Sequence, residues 1–280
     1  MALRAPLACR RILERRRPEV VLGGGGYVAG PMVLAAWTKR IPAALTEADA
    51  HLGLANRLAS PFAERMFLAF PIEGRRPPKY RVVGRPIPAR SRGVSRVDAR
   101  RLFELPPDGP VLLVFGGSQG ARALNEHVVE RFGAGVPAVL HLTGERDYEA
   151  LRGRVQRSDY RLLPFTDDFG AALSAADVVL ARSGGSVWEV AAAGKPAVLV
   201  PYPHGTADHQ TKNARYFERG GGAVVVPEPE LAQVGSVVTE LLADEERRAA
   251  MASAMQDLAR PDAADVIAEE LIALARAARR

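Results

Sequence analysis

Val111-Leu112-Leu113-Val114-Phe115-Gly116-Gly117-Ser118-Gln119-Gly120-Ala121 is the stretch on which the reading of the whole chain turns. Five consecutive apolar residues leave no polar face, so a strand made of them must be covered on both sides, as strands of parallel sheets are. The glycines that follow permit a tight turn, and the residues from Ala121 onward read as helix. The same order recurs twice. Glu19-Val20-Val21-Leu22 runs into the glycines at 23–26, with Pro31 predicted to open a helix through Trp37. The run at 178–181 leads into Arg182-Ser183-Gly184-Gly185-Ser186 and a helix over 187–193. Further short apolar runs at 42–45, 67–70, 81–83, 138–142, 160–163, 198–201 and 223–226 read as strands. Helical patterns fall at 52–62, 171–175, 213–219, 232–242, 245–258 and 263–280. This β–α alternation predicts an α/β fold with parallel sheets covered on both faces. Pro77, Pro78, Pro86 and Pro88 mark a basic, proline-rich linker between two domains.

Composition narrows the function. The 280 residues are 48% hydrophobic and 25% charged, which suits a globular chain and excludes disorder, collagen and coiled coil. The lone cysteine, Cys9, excludes a disulfide framework and a cysteine-based zinc cluster, and fits a reducing compartment. A net charge of +6 is compatible with anionic substrates or an anionic membrane surface. Aromatics are only 6%, and no basic–aromatic platform for stacking bases is present, so nucleic acid is not expected. Residues 20–38 carry no charge and approach a spanning length, but their glycines and Pro31 break a lipid-exposed helix. The expectation is a soluble, cytoplasmic chain able to lie on a membrane surface.

Glycine junctions let backbone N–H groups approach a phosphate, and a helix N-terminus adds partial positive charge. Neither the spacing of a dinucleotide fingerprint nor a Walker lysine is present. Glu189, one turn into its helix, either compensates the helix dipole or binds ribose hydroxyls. The run from His204 through Asp208, His209 and Gln210 to Asn213 is dense in hydrogen-bonding groups. Two histidines without a third spaced ligand are weak evidence for zinc, and sugar and phosphate contacts are the favoured reading. Asp167-Asp168 reads as a helix N-cap. No G-x-S-x-G elbow, H-E-x-x-H or nucleophilic cysteine is found.

Four pieces in order resemble the MurG family. They are Val21 through Pro31 with its glycine run, Gly116-Gly117-Ser118-Gln119-Gly120-Ala121 followed by Leu124-Asn125, Ala192-Ala193-Gly194-Lys195-Pro196, and Asp208-His209-Gln210-Thr211-Lys212-Asn213-Ala214. The resemblance implies a GT-B fold: two Rossmann-like parallel-sheet domains facing across a cleft, the N-terminal one incomplete. It places an acceptor and membrane-side domain at 1–88, joined by a returning helix at 262–280, and a donor domain at 89–261. It implies an inverting glycosyltransferase that moves N-acetylglucosamine from UDP-GlcNAc to undecaprenyl-linked lipid I, making lipid II. The implied place is the cytoplasmic face of the bacterial membrane, as a peripheral protein on anionic lipid, with Trp37 in the membrane-facing patch.

Carried over by position, Gly117, Ser118 and Gln119 would lie at the diphosphate, and Phe165 and Thr166 at uracil. Arg182, Ser183 and Gly184 belong to the same donor loop, Glu189 would take the ribose, and His209 and Gln210 the sugar and diphosphate. Gly25, Gly26, Tyr27 and Asp49 would face the acceptor. No metal or cofactor is required on this reading, although a divalent cation is compatible with it. The family's first glycine loop, ending in the histidine expected as general base, has no match here, so no catalytic residue is assigned; His51 is the nearest alternative. Asp49 stands where the family has an amide, and Pro88 where it has an arginine, for which Arg85 and Arg90 are candidates. Two other readings compete: a GT-B transferase for another lipid acceptor, and a donor-binding subunit completed by a separate chain.

Overall fold

The computed structural model describes residues 5–117 and 121–279. The chain divides into two compact units, Met1–Pro86 with Arg260–Arg280, and Ile87–Ala259. The first contains α1 (Ala5–Arg16), β1 (Val21–Gly23), α2 (Gly26–Thr38), β2 (Ala43–Glu47), α3 (Leu54–Ala59), β3 (Arg65–Leu68) and β4 (Tyr80–Val82). The second contains α4 (Arg96–Leu102), β5 (Val111–Phe115), α5 (Arg122–Phe132), β6 (Ala138–Leu142), α6 (Glu145–Leu151), β7 (Tyr160–Leu163), α7 (Phe169–Ala175) and β8 (Val178–Ala181). It continues with α8 (Val187–Ala192), β9 (Ala197–Leu199), α9 (His209–Arg219), β10 (Ala223–Val225), α10 (Val234–Ala243) and α11 (Glu245–Leu258). The last helix, α12 (Ala263–Ala278), belongs to the first unit.

In the first unit, among the described residues, four parallel strands lie in the order β1-β2-β3-β4. Gly23, the last residue of β1, is closely packed: a Cβ there would sit 2.6 Å from Leu45 Cδ2 on the neighbouring strand and 3.1 Å from Ala29 Cβ on α2. Val33, Ala36, Leu45 and Met66 are fully buried in the core between this sheet and α2. On α12, Val266, Ile267, Leu271 and Leu274 form a stripe packed against Ala44, Phe67 and Val83. Charge reinforces that docking: Glu270 pairs with Arg65 and Arg81, and Arg279 with Glu19. Ile267, buried, contributes roughly 1.5–3 kcal/mol and the partly buried Val266, Leu271 and Leu274 add to it, so apolar contact outweighs these half-exposed pairs.

In the second unit the six described strands are all parallel, in the order β10-β9-β8-β5-β6-β7. The chain works outward from β5 through β6 to β7, returns to the other side at β8, and works outward again to β10. Every residue of β5, β6 and β8 is buried, as the unbroken apolar sequences of β5 and β8 require; β6 buries His141 along with its apolar residues. Below this sheet, at the strand N-termini, Arg100 is 1% exposed. Its guanidinium donates to the carbonyls of Pro106, Pro107, Gly109 and Ala175 and to Asp177, which also accepts from Val111 N at 2.8 Å. A buried cation is tolerated because each donor is satisfied, and the cluster fixes where β5 begins.

Some local expectations change. Helix α2 begins at Gly26, and Pro31 lies inside it. Gly25 and Gly26, at φ 86° and 73°, make the left-handed turn that starts the helix five residues before the proline. Pro31 then forfeits one backbone bond in the second turn. Helices α1 and α6 were not anticipated, and α9 starts at His209, four residues before the expected 213. Asp168 occupies the N-cap of α7 without a side-chain capping bond; instead its N–H donates to Thr166 Oγ1 at 3.1 Å.

Candidate functional site

In an open parallel sheet, ligands bind beyond the strand C-termini where the strand order reverses. In the second unit that point lies between β5 and β8, and two adjoining cavities open there. One, of about 590 Å³, is lined by Gly116 and Gly117 after β5, by Gly184, Gly185 and Ser186 after β8, and by Arg122, Arg146, Arg182, Tyr202, Gln210 and Glu228. The other, of about 620 Å³, is lined by Phe115, Leu142, Pro164, Phe165, Thr166, Phe169, Arg90 and Glu189. Gly117, Arg146 and Ser186 border both.

Their chemistry differs. The first combines glycine backbone with arginines and the N-terminus of the eleven-residue α5, which favours an anion. Gly116 must be glycine, since a Cβ would lie 2.3 Å from Ala121 Cβ and 2.9 Å from Ala121 N; Gly117 has φ 91°. The second is walled by rings, with Phe115 and Phe169 edge-to-face at 5.1 Å and Phe165 55% exposed beside them. A flat heterocycle suits that wall, and the Glu189 carboxylate at its border suits hydroxyl donors.

Of the residues expected from sequence, Gly117, Phe165, Thr166, Arg182, Gly184, Glu189 and Gln210 line these cavities. Ser118 and Gln119 lie outside the described residues. Ser183 is buried, and its hydroxyl donates to Gln210 O at 2.8 Å while Ser183 O accepts from Asn213, so it ties the β8 loop to α9 instead of facing the cavity. Arg182 is at the wall, but its guanidinium is engaged with Val200 O and Pro201 O at 3.1 Å each and with Glu228, and it stacks over Tyr202. It braces the ends of β8, β9 and β10. Gln210 Oε1 accepts from Tyr202 N at 2.9 Å. His209 stands apart from both linings, with Nδ1 at 2.8 Å from Thr206 O.

Arg122, Arg146, Tyr202 and Glu228 escape the sequence reading. Arg146 carried a usable signal, because Leu142-Thr143-Gly144 repeats the strand-then-glycine order and Gly144 has φ 79°. Behind Arg146 lies a buried polar chain. His141 Nδ1 is 2.9 Å from Tyr160 Oη and Nε2 is 3.0 Å from Asn125 Oδ1. Asn125 Nδ2 donates to Thr143 O at 2.8 Å and Asp147 Oδ2 at 3.0 Å. With both amide protons spent, Asn125 Oδ1 must accept. Nε2 of His141 therefore carries the ring proton, and Tyr160 donates to Nδ1. Burial pushes the His141 pKa down from 6.5 to about 3 and raises the Tyr160 phenol. This chain of bonds holds the 143–147 turn, and hence Arg146, at the cavity rim.

In the first unit, the acceptor-side candidates cluster at the C-terminal ends of β1 and β2. Glu47, buried, accepts from Ala48 N, Asp49 N, Gly53 N and Asn56 Nδ2 at 2.9–3.5 Å, which shapes the loop carrying Asp49 and His51. Asn56 also donates to Thr46 O, and a Cβ on Gly25 would lie 3.7 Å from its amide nitrogen. Tyr27 is 95% exposed. Among the described residues, no group of three or more His, Cys, Asp or Glu is gathered as for a metal, and no helix is long and apolar enough to cross a membrane.

The family models and the sequence relatives agree on one family. The glycosyltransferase family 28 C-terminal domain matches residues 111–267, and the family 28 N-terminal domain matches residues 2–68. An N-acetylglucosamine transferase of Salinibacter ruber is 41% identical over 274 residues, covering 95% of this chain and 74% of the relative. Its name gives UDP-N-acetylglucosamine as donor and N-acetylmuramyl-(pentapeptide) pyrophosphoryl-undecaprenol as acceptor. A protein of the same name from Rubrobacter xylanophilus is 40% identical, covering 98% of this chain and 82% of its own. The crystal structure of Acinetobacter baumannii MurG superposes with a TM-score of 0.78 at 29% identity, over 96% of this chain and 79% of that one.

Proposed function

This chain belongs to glycosyltransferase family 28, and we propose that it transfers N-acetylglucosamine from UDP-GlcNAc to an undecaprenyl-pyrophosphoryl N-acetylmuramyl-pentapeptide, converting lipid I to lipid II. The observation that carries this reading is the identity of about 40% to relatives named for that reaction over nearly the whole chain. The paired cavities support the donor half. Uridine fits the ring-walled cavity, with Phe165 and Thr166 at the base and Glu189 at the ribose. The diphosphate fits the glycine- and arginine-lined cavity, with Gln210 toward the sugar. Arg90 is the linker arginine that borders the uridine cavity.

The reaction on this reading is a single displacement. The acceptor hydroxyl attacks the anomeric carbon, its proton leaves to a base, and the bond to the diphosphate breaks with the electron pair passing to UDP. Inversion follows from attack opposite the leaving group. Backbone N–H groups of Gly116 and Gly117, the N-terminus of α5, and Arg122 and Arg146 stabilise the charge that develops on the diphosphate. On this account leaving-group stabilisation comes from protein dipoles and arginines, without a resident metal.

A peripheral position on the cytoplasmic membrane face is part of the same proposal. Helix α1 carries Arg10, Arg11, Arg15 and Arg16 beside exposed Leu7 and Ile12, and Trp37 on α2 is 55% exposed. Basic and apolar groups together suit anionic lipid. The test is incubation with sugar-labelled UDP-GlcNAc and lipid I in anionic vesicles. Label is expected in a lipid-linked disaccharide with equimolar UDP released. Labelling of diacylglycerol in place of lipid I would reject this acceptor, and UDP release without lipid labelling would reject the transfer.

A further inference from the structure

The turn Ala89–Ser91 sits just after the boundary between the two units and carries one side chain to the uridine cavity and another to the Glu189 carboxylate at its border. Arg90 borders the cavity directly. Ser91 does not; it is buried, and its hydroxyl donates to Glu189 Oε1. The two residues are 98 positions apart, and α7 is what brings them together. A Cβ on Gly170 would lie 2.2 Å from Arg92 O and 2.7 Å from Ser91 C, so only glycine lets the turn lie this close to the helix. One turn further along α7, Ser174 Oγ accepts from Val94 N at 3.2 Å, fastening the segment at a second point.

We propose that Ser91 is a positioning residue for donor recognition: it fixes the Glu189 carboxylate in the orientation that reads the ribose hydroxyls. The inference rests on the reading that Glu189 receives the ribose. Glutamate has three rotatable side-chain bonds, and on the short helix α8 its carboxylate needs an external partner to be held ready. With Oε1 accepting the Ser91 proton, Oε2 is left as the acceptor for a ribose hydroxyl. Ribose is thereby distinguished from deoxyribose by a group held from the segment that joins the two units.

The experiment is calorimetric titration of the intact chain with UDP-GlcNAc and with its 2′-deoxyuridine counterpart. The wild type is expected to prefer the ribonucleotide by about tenfold, the worth of one hydrogen bond to a charged group. Ser91→Ala should cut that preference to about twofold, with affinity for the deoxy donor nearly unchanged. Ser91→Thr, which keeps the hydroxyl, should retain it. Glu189→Gln should also lose the preference, and adding Ser91→Ala to it should change nothing further. A full preference in Ser91→Ala, or an equal weakening of both ligands, overturns the role of Ser91. A full preference in Glu189→Gln overturns the ribose reading itself.

Discussion

Gly116→Val is expected to weaken UDP-GlcNAc binding by about a hundredfold or more while the second unit stays folded. The added Cβ would overlap Ala121 Cβ at 2.3 Å and Ala121 N at 2.9 Å, so the strand end and the start of α5 would have to separate. That separation removes the backbone N–H groups from the position a diphosphate would occupy. Each bond from an N–H to a charged oxygen contributes about 1.5–3 kcal/mol, and losing two gives the stated factor. Overpacking itself costs roughly 1–3 kcal/mol, which a domain of this size survives. Thermal unfolding of the variant distinguishes the two effects. Binding within threefold of wild type would show that the glycine junction does not hold the diphosphate.

The second large effect is acid lability seated in His141. The ring is neutral and fully buried, with a pKa near 3 against 6.5 when exposed. Between those values the unfolded chain binds one more proton than the folded one, so stability falls as pH falls through that window. The slope is about 1.36 kcal/mol per pH unit, and the full window amounts to on the order of 5 kcal/mol. From pH 6.5 to 5, above most carboxylate titration, the loss from this residue is about 2 kcal/mol. Urea unfolding at several pH values measures it, and His141→Gln should flatten the dependence. An unchanged slope in that variant would place the acid-sensitive group elsewhere. Donor affinity of the folded chain should hold across this range, because the buried ring stays neutral and keeps the bonds that support the turn carrying Arg146 until the pH approaches 3.

The strands of the second unit were legible as apolar runs, broken only by His141 in β6 and Arg161 in β7, and Gly116 marked the site because only glycine fits there. Glu189 and Gln210 followed from resemblance, since spacing alone left Glu189 between a dipole role and a ribose role. What escaped was non-local or masked by charge. Helix α1 is so dense in arginine that its buried face reduces to Cys9 and Leu13. His141 reads as one more strand residue, because its partners lie 16 and 19 positions away. The β6–β7 register, which sets Val139 opposite Tyr160, places Tyr160 diagonally from His141 on one face. Arg182 looked like a ligand and is instead occupied by the carbonyls of neighbouring strands. Pro31 looked like a helix start because proline favours the first turn, yet the positive-φ pair at Gly25 and Gly26 starts the helix earlier.

The central claim is that the cavities at the β5–β8 reversal hold a uridine-diphosphate sugar. Calorimetric titration of the folded chain with UDP-GlcNAc, set beside UDP-glucose and GDP-mannose, tests it most directly. Saturable one-to-one binding of UDP-GlcNAc, weaker binding of UDP-glucose and none of GDP-mannose is the predicted result. No binding of UDP-GlcNAc by the folded chain, or equal binding of GDP-mannose, would contradict it.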